Sequence, residues 1–186
     1  MIVKLHGTSG SGKTTAVREF MDLAEGVVPI HVEPYKKPEA YKISVGLNYL
    51  PTYVLGSYGN KCGGVDTIAS TDELIRLIGE YHKQGHLLFE GLLISTYHGA
   101  VGKFLDSLPQ DKVWAFMDTP IDECVARVRQ RRLDAGNTRP FDEANTRNRV
   151  KPIQALKDKL TARGETVVDI DGGQDLMNIL YPGVAV

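Results

Sequence analysis

Residues 7–14 read Gly-Thr-Ser-Gly-Ser-Gly-Lys-Thr, a full match to the pattern G-x-x-x-x-G-K-[ST]. Its surroundings give the match its meaning. Ile2–His6 is a short β-prone run suited to a buried strand, and after Lys13 the residues Val17, Phe20, Met21 and Ala24 recur at helical spacing, with Gly26 placed to end that helix. A Gly-rich turn between a strand and a helix aims backbone N–H groups at one spot and attracts an anion. Gly10, Ser11, Gly12, Lys13, Thr14 and Thr15 are therefore the expected nucleotide-binding residues. Lys13 brings a full positive charge to the β- and γ-phosphates, Thr14 offers a hydroxyl to Mg²⁺, and Thr15 can bond a neighbouring phosphate.

Outward from this loop the chain alternates strand and helix signals. Val28–Glu33 reads as a second strand, with Pro29 tolerable only near its start. Ser70-Thr71-Asp72-Glu73 fits a capping box opening a helix that carries Leu74, Ile75, Leu77, Ile78 and Tyr81 and stops at Gly85. His86–Phe89, Val113–Met117 and Thr166–Ile170 read as further strands. A helix from Thr119 or Pro120 presents Ile121, Cys124, Val125 and Val128 on one face, and Gln174–Tyr181 is a short terminal helix. Lys151-Pro152 either starts a helix or kinks one. This alternation predicts an α/β fold, a five-stranded parallel sheet with helices on both faces. Residues 34–69 break the rhythm with three prolines and five glycines and read as a substrate-binding insertion.

The 186 residues, 42% hydrophobic and 24% charged, suit a single domain spanning residues 1–186. No apolar run is long enough for a membrane span, and the N-terminus lacks the pattern of a secretory signal. Two cysteines, Cys62 and Cys124, are too few for a disulfide scaffold or a zinc cluster, so a reducing cytoplasm is expected.

A phosphate-binding loop does not specify a reaction. The chain lacks the Asn-Lys-x-Asp element of switch-type GTPases, and its strand Leu87-Leu88-Phe89 ends in a single acid, Glu90, followed by Gly91. A loop of this kind near the N-terminus, followed by a strand ending in Glu-Gly, resembles the small nucleoside and nucleotide kinases, which implies that Glu90 holds Mg²⁺ together with Thr14. Val32-Glu33-Pro34 extends the resemblance, because deoxynucleoside kinases carry a general-base Glu near the end of the second strand. Glu33 matches that place and is a candidate base. Asp118-Thr119-Pro120, then Arg127, Arg129, Arg131, Arg132 and Arg139, is similar to the Arg-rich helix and lid of nucleotide kinases, placing a lid at 127–151. Arg127 and Arg131 share a helix face and are expected to neutralise the transferring phosphoryl group; Arg127 is alternatively placed to stack on adenine. The resemblance implies ATP and Mg²⁺.

The acceptor is written into residues 34–69. Tyr35, Tyr41, Tyr49, Tyr53 and Tyr58 are five of the eight tyrosines and fall within 24 positions, where each reads either as a base-stacking ring or as a core residue. Asp66, after the paired Gly63 and Gly64, reads either as a ligand for an acceptor hydroxyl or as a turn residue. The runs Leu50-Pro51-Thr52-Tyr53-Val54-Leu55-Gly56-Ser57-Tyr58 and Cys62-Gly63-Gly64-Val65-Asp66-Thr67, with Phe89-Glu90-Gly91, resemble bacteriophage P-loop kinases of DNA hypermodification, which phosphorylate the hydroxymethyl group of 5-hydroxymethyluracil in DNA. That resemblance implies a P-loop kinase fold and a DNA partner containing a modified pyrimidine, in the host cytoplasm, with Glu33 or Asp66 as the base. The alternatives are a deoxynucleoside monophosphate kinase acting on a free deoxynucleotide, and an ATPase with no acceptor. Charge permits either kinase. The net −1 conceals eight Lys/Arg against three Asp/Glu over 127–151, a local +5, and four Lys against one Glu over 35–61, a local +3.

Overall fold

The computed structural model describes residues 1–33, 36–59, 63–96 and 99–184. The sheet grows from β1 (Ile2–His6), which is buried along its whole length because it is covered on both faces. On one side lie β5 (His86–Glu90), β4 (Thr52–Leu55), β3 (Ala40–Ser44) and β2 (Gly26–Ile30); on the other lie β6 (Lys112–Met117) and β7 (Thr166–Ile170). Among the described residues the order β2-β3-β4-β5-β1-β6-β7 makes seven strands, not five. Strands β4, β5, β1, β6 and β7 are parallel, while β3 runs antiparallel to both β4 and β2.

The second strand predicted from sequence is the source of this difference. It forms two residues earlier than expected and lies at the edge of the sheet, where the missing N–H of Pro29 is tolerated and where its side chains are half-buried or exposed. The parallel position beside β5 is taken instead by β4, from the segment read as an insertion. Residues 40–55 thus build the sheet rather than leave it, with Ala40, Ile43, Val54 and Leu55 fully buried. Gly26 begins β2 rather than ending a helix, since α1 (Lys13–Asp22) closes at Leu23.

Two apolar layers sandwich the sheet. On one face α1 and α7 (Gly173–Leu180) bring Val17, Phe20, Leu176 and Met177 against Val3, Leu5 and Leu88. On the other, α2 (Thr71–Tyr81), α3 (Gly99–Asp106) and α6 (Val150–Ala162) cover Ile2, Leu87, Phe89 and Trp114 with Leu77, Ile78, Leu105 and Leu160. The Ser70 hydroxyl accepts the Glu73 N–H at 3.1 Å, the N-cap bond that the capping box requires. Pro152 stands in the first turn of α6, where its lack of an N–H costs nothing, so the helix starts there rather than kinking. The helices α4 (Ile121–Asp134) and α5 (Ala144–Arg147) stand at the end of the sheet where the loops after β1, β5 and β6 open.

Candidate active site

At that end the Gly-rich loop turns back on itself. Gly10 and Gly12 have φ of 80° and 94°, which side chains disfavour. A Cβ on Gly10 would also lie 2.2 Å from the Cys124 carbonyl oxygen, so the loop can pass this close to α4 only without one. The Ala16 N–H donates to the Gly12 carbonyl at 2.8 Å, which leaves the earlier N–H groups of the first turn facing a cleft of about 750 Å³. Gly10, Ser11, Gly12, Lys13, Thr14 and Thr15 all line it, as expected from sequence.

Lys13 is buried, its Nζ donating to the carbonyls of Gly7 (2.8 Å) and Thr8 (3.0 Å). Burial lowers its pKa, and the nearby negative charges of Glu90 and Asp66 act against that shift. Glu90, at the end of β5 and only 2% exposed, accepts the Thr14 hydroxyl at 2.8 Å. Burial raises its carboxyl pKa, opposed first by Lys13 and then by the bond from Thr14.

The two residues expected to hold a metal are therefore in contact. Among the described residues no group of three or more His, Cys, Asp or Glu is arranged to hold an ion. A hydroxyl beside a single carboxylate fits Mg²⁺, which takes its other ligands from water and phosphate oxygens, and does not fit a structural metal.

Asp66 also reaches this cleft, in the single 3₁₀ turn Val65–Thr67. Its carboxylate accepts the N–H of Leu92 (2.6 Å) and of Leu93 (3.2 Å), tying that turn to the loop after β5. The paired glycines explain the approach. Gly64 has φ of 79°, and a Cβ there would stand 2.3 Å from the Glu90 carbonyl and 2.6 Å from Glu90 Oε1. On Gly91 a Cβ would meet Asp66 Oδ1 at 3.0 Å. Two elements far apart in the chain, around Gly64 and Gly91, thus bring the carboxylates of Asp66 and Glu90 to one place.

The arginines divide. Arg127 and Arg131 line the cleft; Arg127 reaches the Gly10 carbonyl at 3.5 Å and pairs with Glu123. The others turn away: Arg129 pairs with Glu143, Arg147 with Asp122 and Glu143, and Arg132 lies over Phe141.

Glu33 is not brought in. It follows edge strand β2, is exposed, and is absent from the cleft wall. Four strand intervals separate β2 from β1, on the order of 19 Å. Most of the tyrosines belong to the core. Tyr53 stacks on Tyr81, Tyr58 is buried edge-on to Tyr41, and Tyr49 packs on Tyr181 while half exposed. Tyr35 and Cys62 lie outside the described residues.

Relatives of the chain are named for one activity. It is 38% identical over 173 residues to the 5-hmdU DNA kinase of Pseudomonas phage PaMx11, covering 91% of this chain and 90% of the relative. The chain belongs to the 5-hmdU DNA kinase family. Identity to the 5-hmdU DNA kinase of Pseudomonas phage M6 is 28% over 90% of this chain and 89% of that protein. With 5-hmdU DNA kinase 1 of Salmonella phage ViI it is 31% over 67% of this chain and 56% of that protein. No family model matches the chain. As a member of the 5-hmdU DNA kinase family, the protein is a kinase.

In this kinase the sequence reading missed Arg18, which lines the cleft and donates through Nε (3.2 Å) and Nη2 (2.8 Å) to the Tyr58 carbonyl. It follows Thr14 by four residues, and that spacing on α1 is the signal that points to the same face. Thr8 was missed as well. Its hydroxyl donates to the Thr146 carbonyl at 2.9 Å and docks α5 on the Gly-rich loop, a long-range contact without a sequence signature.

Proposed function

We propose that this protein is a P-loop kinase transferring the γ-phosphoryl group of ATP to the hydroxymethyl group of 5-hydroxymethyluracil in DNA, with Mg²⁺ as cofactor. The reading rests on one observation: Lys13, Thr14, Glu90 and Asp66 meet in a single cleft of a chain whose relatives are named 5-hmdU DNA kinase.

The Gly-rich loop binds the β- and γ-phosphates through its N–H groups and Lys13, which exchanges its carbonyl partners Gly7 and Thr8 for phosphate oxygens. Thr14 and Glu90 would hold Mg²⁺, which when bound supplies charge neutralisation on the phosphates. Asp66, anchored by two backbone N–H groups, orients the acceptor O–H and takes its proton as the oxygen–phosphorus bond forms and the bond from γ-phosphorus to the β,γ-bridging oxygen breaks. Arg127 and Arg131 neutralise charge on the equatorial oxygens. The whole chain is then one kinase domain, with the acceptor on the side of residues 63–69 and the lid at 127–151.

The test offers the purified protein γ-labelled ATP with DNA containing 5-hydroxymethyluracil, or with a panel of free deoxynucleoside monophosphates. Label on the DNA that disappears with Lys13→Ala is the expected result. Label on mononucleotides alone would turn the reading to a nucleotide kinase, and phosphate release without any labelled acceptor would turn it to an ATPase.

A further inference from the structure

The loop after β5 is built from unusual residues for a turn. The Ser95 N–H donates to the Leu92 carbonyl at 3.3 Å, which closes a turn over Leu92, Leu93, Ile94 and Ser95. Such turns favour Gly, Pro, Asn, Asp and Ser, yet three of these four residues are large and aliphatic. Two of the three have places inside the protein. Ile94 is buried in the layer covered by α2 and α3, and Leu92 is half-buried on the wall of the cleft. Leu93 has no such place and is 63% exposed.

A single exposed leucine is ordinary on a protein surface. Two things set this one apart. Its backbone is pinned: the Leu92 and Leu93 N–H groups donate to Asp66, the Ser95 hydroxyl donates to the Gly91 carbonyl at 2.6 Å, and His6 Nδ1 donates to the Ser95 carbonyl at 3.1 Å. Its place is the rim of the cleft. The Leu93 nitrogen is 3.2 Å from Asp66 Oδ1, so its Cα lies within about 5 Å of the carboxylate proposed to take the acceptor's proton. The other large apolar side chains exposed among the described residues stand on β2 and just after it, on the β3–β4 connection, on α4 and at the start of α6.

The acceptor chemistry gives that place a use. The oxygen of a 5-hydroxymethyl group is two bonds from the ring, so the ring itself must enter the cleft for the oxygen to reach the γ-phosphorus. In a duplex both faces of that ring are covered by neighbours and its edge is paired, so the base must be turned out of the stack. Proteins that hold stacked bases apart insert an apolar side chain, leucine among them, between the base steps. A strand that delivers a base past the rim at Asp66 also passes Leu93.

We infer that Leu93 is a wedge that enters the base stack beside the target nucleotide while the extruded base lies against Leu92 in the cleft, so that the protein acts on duplex DNA. The inference rests on the acceptor reading above. Its test compares Leu93→Ala and Leu93→Met with wild type on one oligonucleotide carrying a single 5-hydroxymethyluracil, offered as a single strand and as a duplex. The Ala variant keeps the N–H that bonds Asp66. Its kcat/KM should fall at least about tenfold further on the duplex than on the single strand. Met, an apolar side chain of similar volume, should restore the wild-type ratio. An abasic site opposite the modified base removes the pairing to be broken and should narrow the Ala variant's deficit. A fall of equal size on both substrates, no fall on either, or a wild-type protein that labels the single strand and not the duplex would overturn the wedge. A 2-aminopurine beside the modified base in the duplex brightens when unstacked and, without ATP, reads the wedge apart from phosphoryl transfer. Brightening by wild type and not by the Ala variant is expected, and equal brightening by both would sink the proposal. If no DNA is labelled while that difference persists, the acceptor reading fails and the wedge stands.

Discussion

Lys4 and Glu90 are buried charges on neighbouring strands, and their partners separate their roles. Glu90 has Thr14 and Lys13 beside it at a cleft, the setting of a group kept for chemistry. Replacement by Gln keeps an acceptor for the Thr14 hydroxyl but removes the charge that would hold Mg²⁺. Phosphotransfer should therefore fall by ~10²-fold or more while ATP-independent stability is retained, as steady-state assays across Mg²⁺ concentration would show. Lys4 has no hydrogen-bond partner among the described residues and lies over the Trp114 ring at 5.4 Å. Burial pushes its pKa from 10.5 down to about 7. Between those values the unfolded chain holds the proton and the folded chain does not, so this residue makes stability rise with pH from about 7 to 10.5. Below pH 7 the folded chain carries the buried charge, at an upper bound on the order of 5 kcal/mol. Lys4→Met should stabilise the protein most at pH 6 and flatten that rise, measured by urea unfolding across the pH range.

At the scale of elements, the site is assembled by close approach more than by side-chain bonds. The Val65–Thr67 turn touches the end of β5 because Gly64 has no Cβ. Gly64→Ala would force a contact of 2.3 Å with the Glu90 carbonyl at a φ of 79°. We expect a loss of about 1–3 kcal/mol in stability and a larger relative loss in kcat, because the displaced group is Glu90 itself. Thermal unfolding and turnover measured on the same preparation would separate the two effects. The Gly-rich loop, the helix after it and the capping box at Ser70 were legible in the sequence because each is a local pattern whose bonds close within a few residues. The role of residues 40–55 was not. Prolines and glycines on either side suggested an insertion, yet strand pairing with β5 is a long-range choice that a local pattern does not encode.

For the whole molecule, strand order decides which acid lines the cleft. With β4 beside β5, the residues after β4 reach the cleft, and with β2 at the sheet edge Glu33 does not. Glu33→Gln should leave kcat within about threefold of wild type, whereas a general base typically contributes about 10²–10⁴. A loss in that larger range would mean that Glu33 reaches the acceptor in a state other than this one. Charge is redistributed in the same way. The local +5 of residues 127–151 is partly paired in space: Arg127 and Arg147 meet Glu123 and Asp122 from outside the segment, which lowers it to +3, and Arg129 meets Glu143, already counted in the sum. The cleft wall itself holds Lys13, Arg18, Arg127 and Arg131 facing several carboxylates. A sum over a segment therefore overstates the positive charge available to a nucleic acid.

The sequence by itself determined the phosphate cradle, the metal-holding pair Thr14 and Glu90 as candidates, the alternation of strand and helix, and the family resemblance, because backbone-driven motifs and hydrophobic periodicity are local. Only the tertiary structure decided that the described residues form a sheet of seven strands, that Asp66 and not Glu33 lines the cleft, that Arg18 lines it too, and that most of the tyrosines pack in the core. Those outcomes depend on which strands pair across long stretches of chain, and that pairing is settled by burying both faces of the sheet at once.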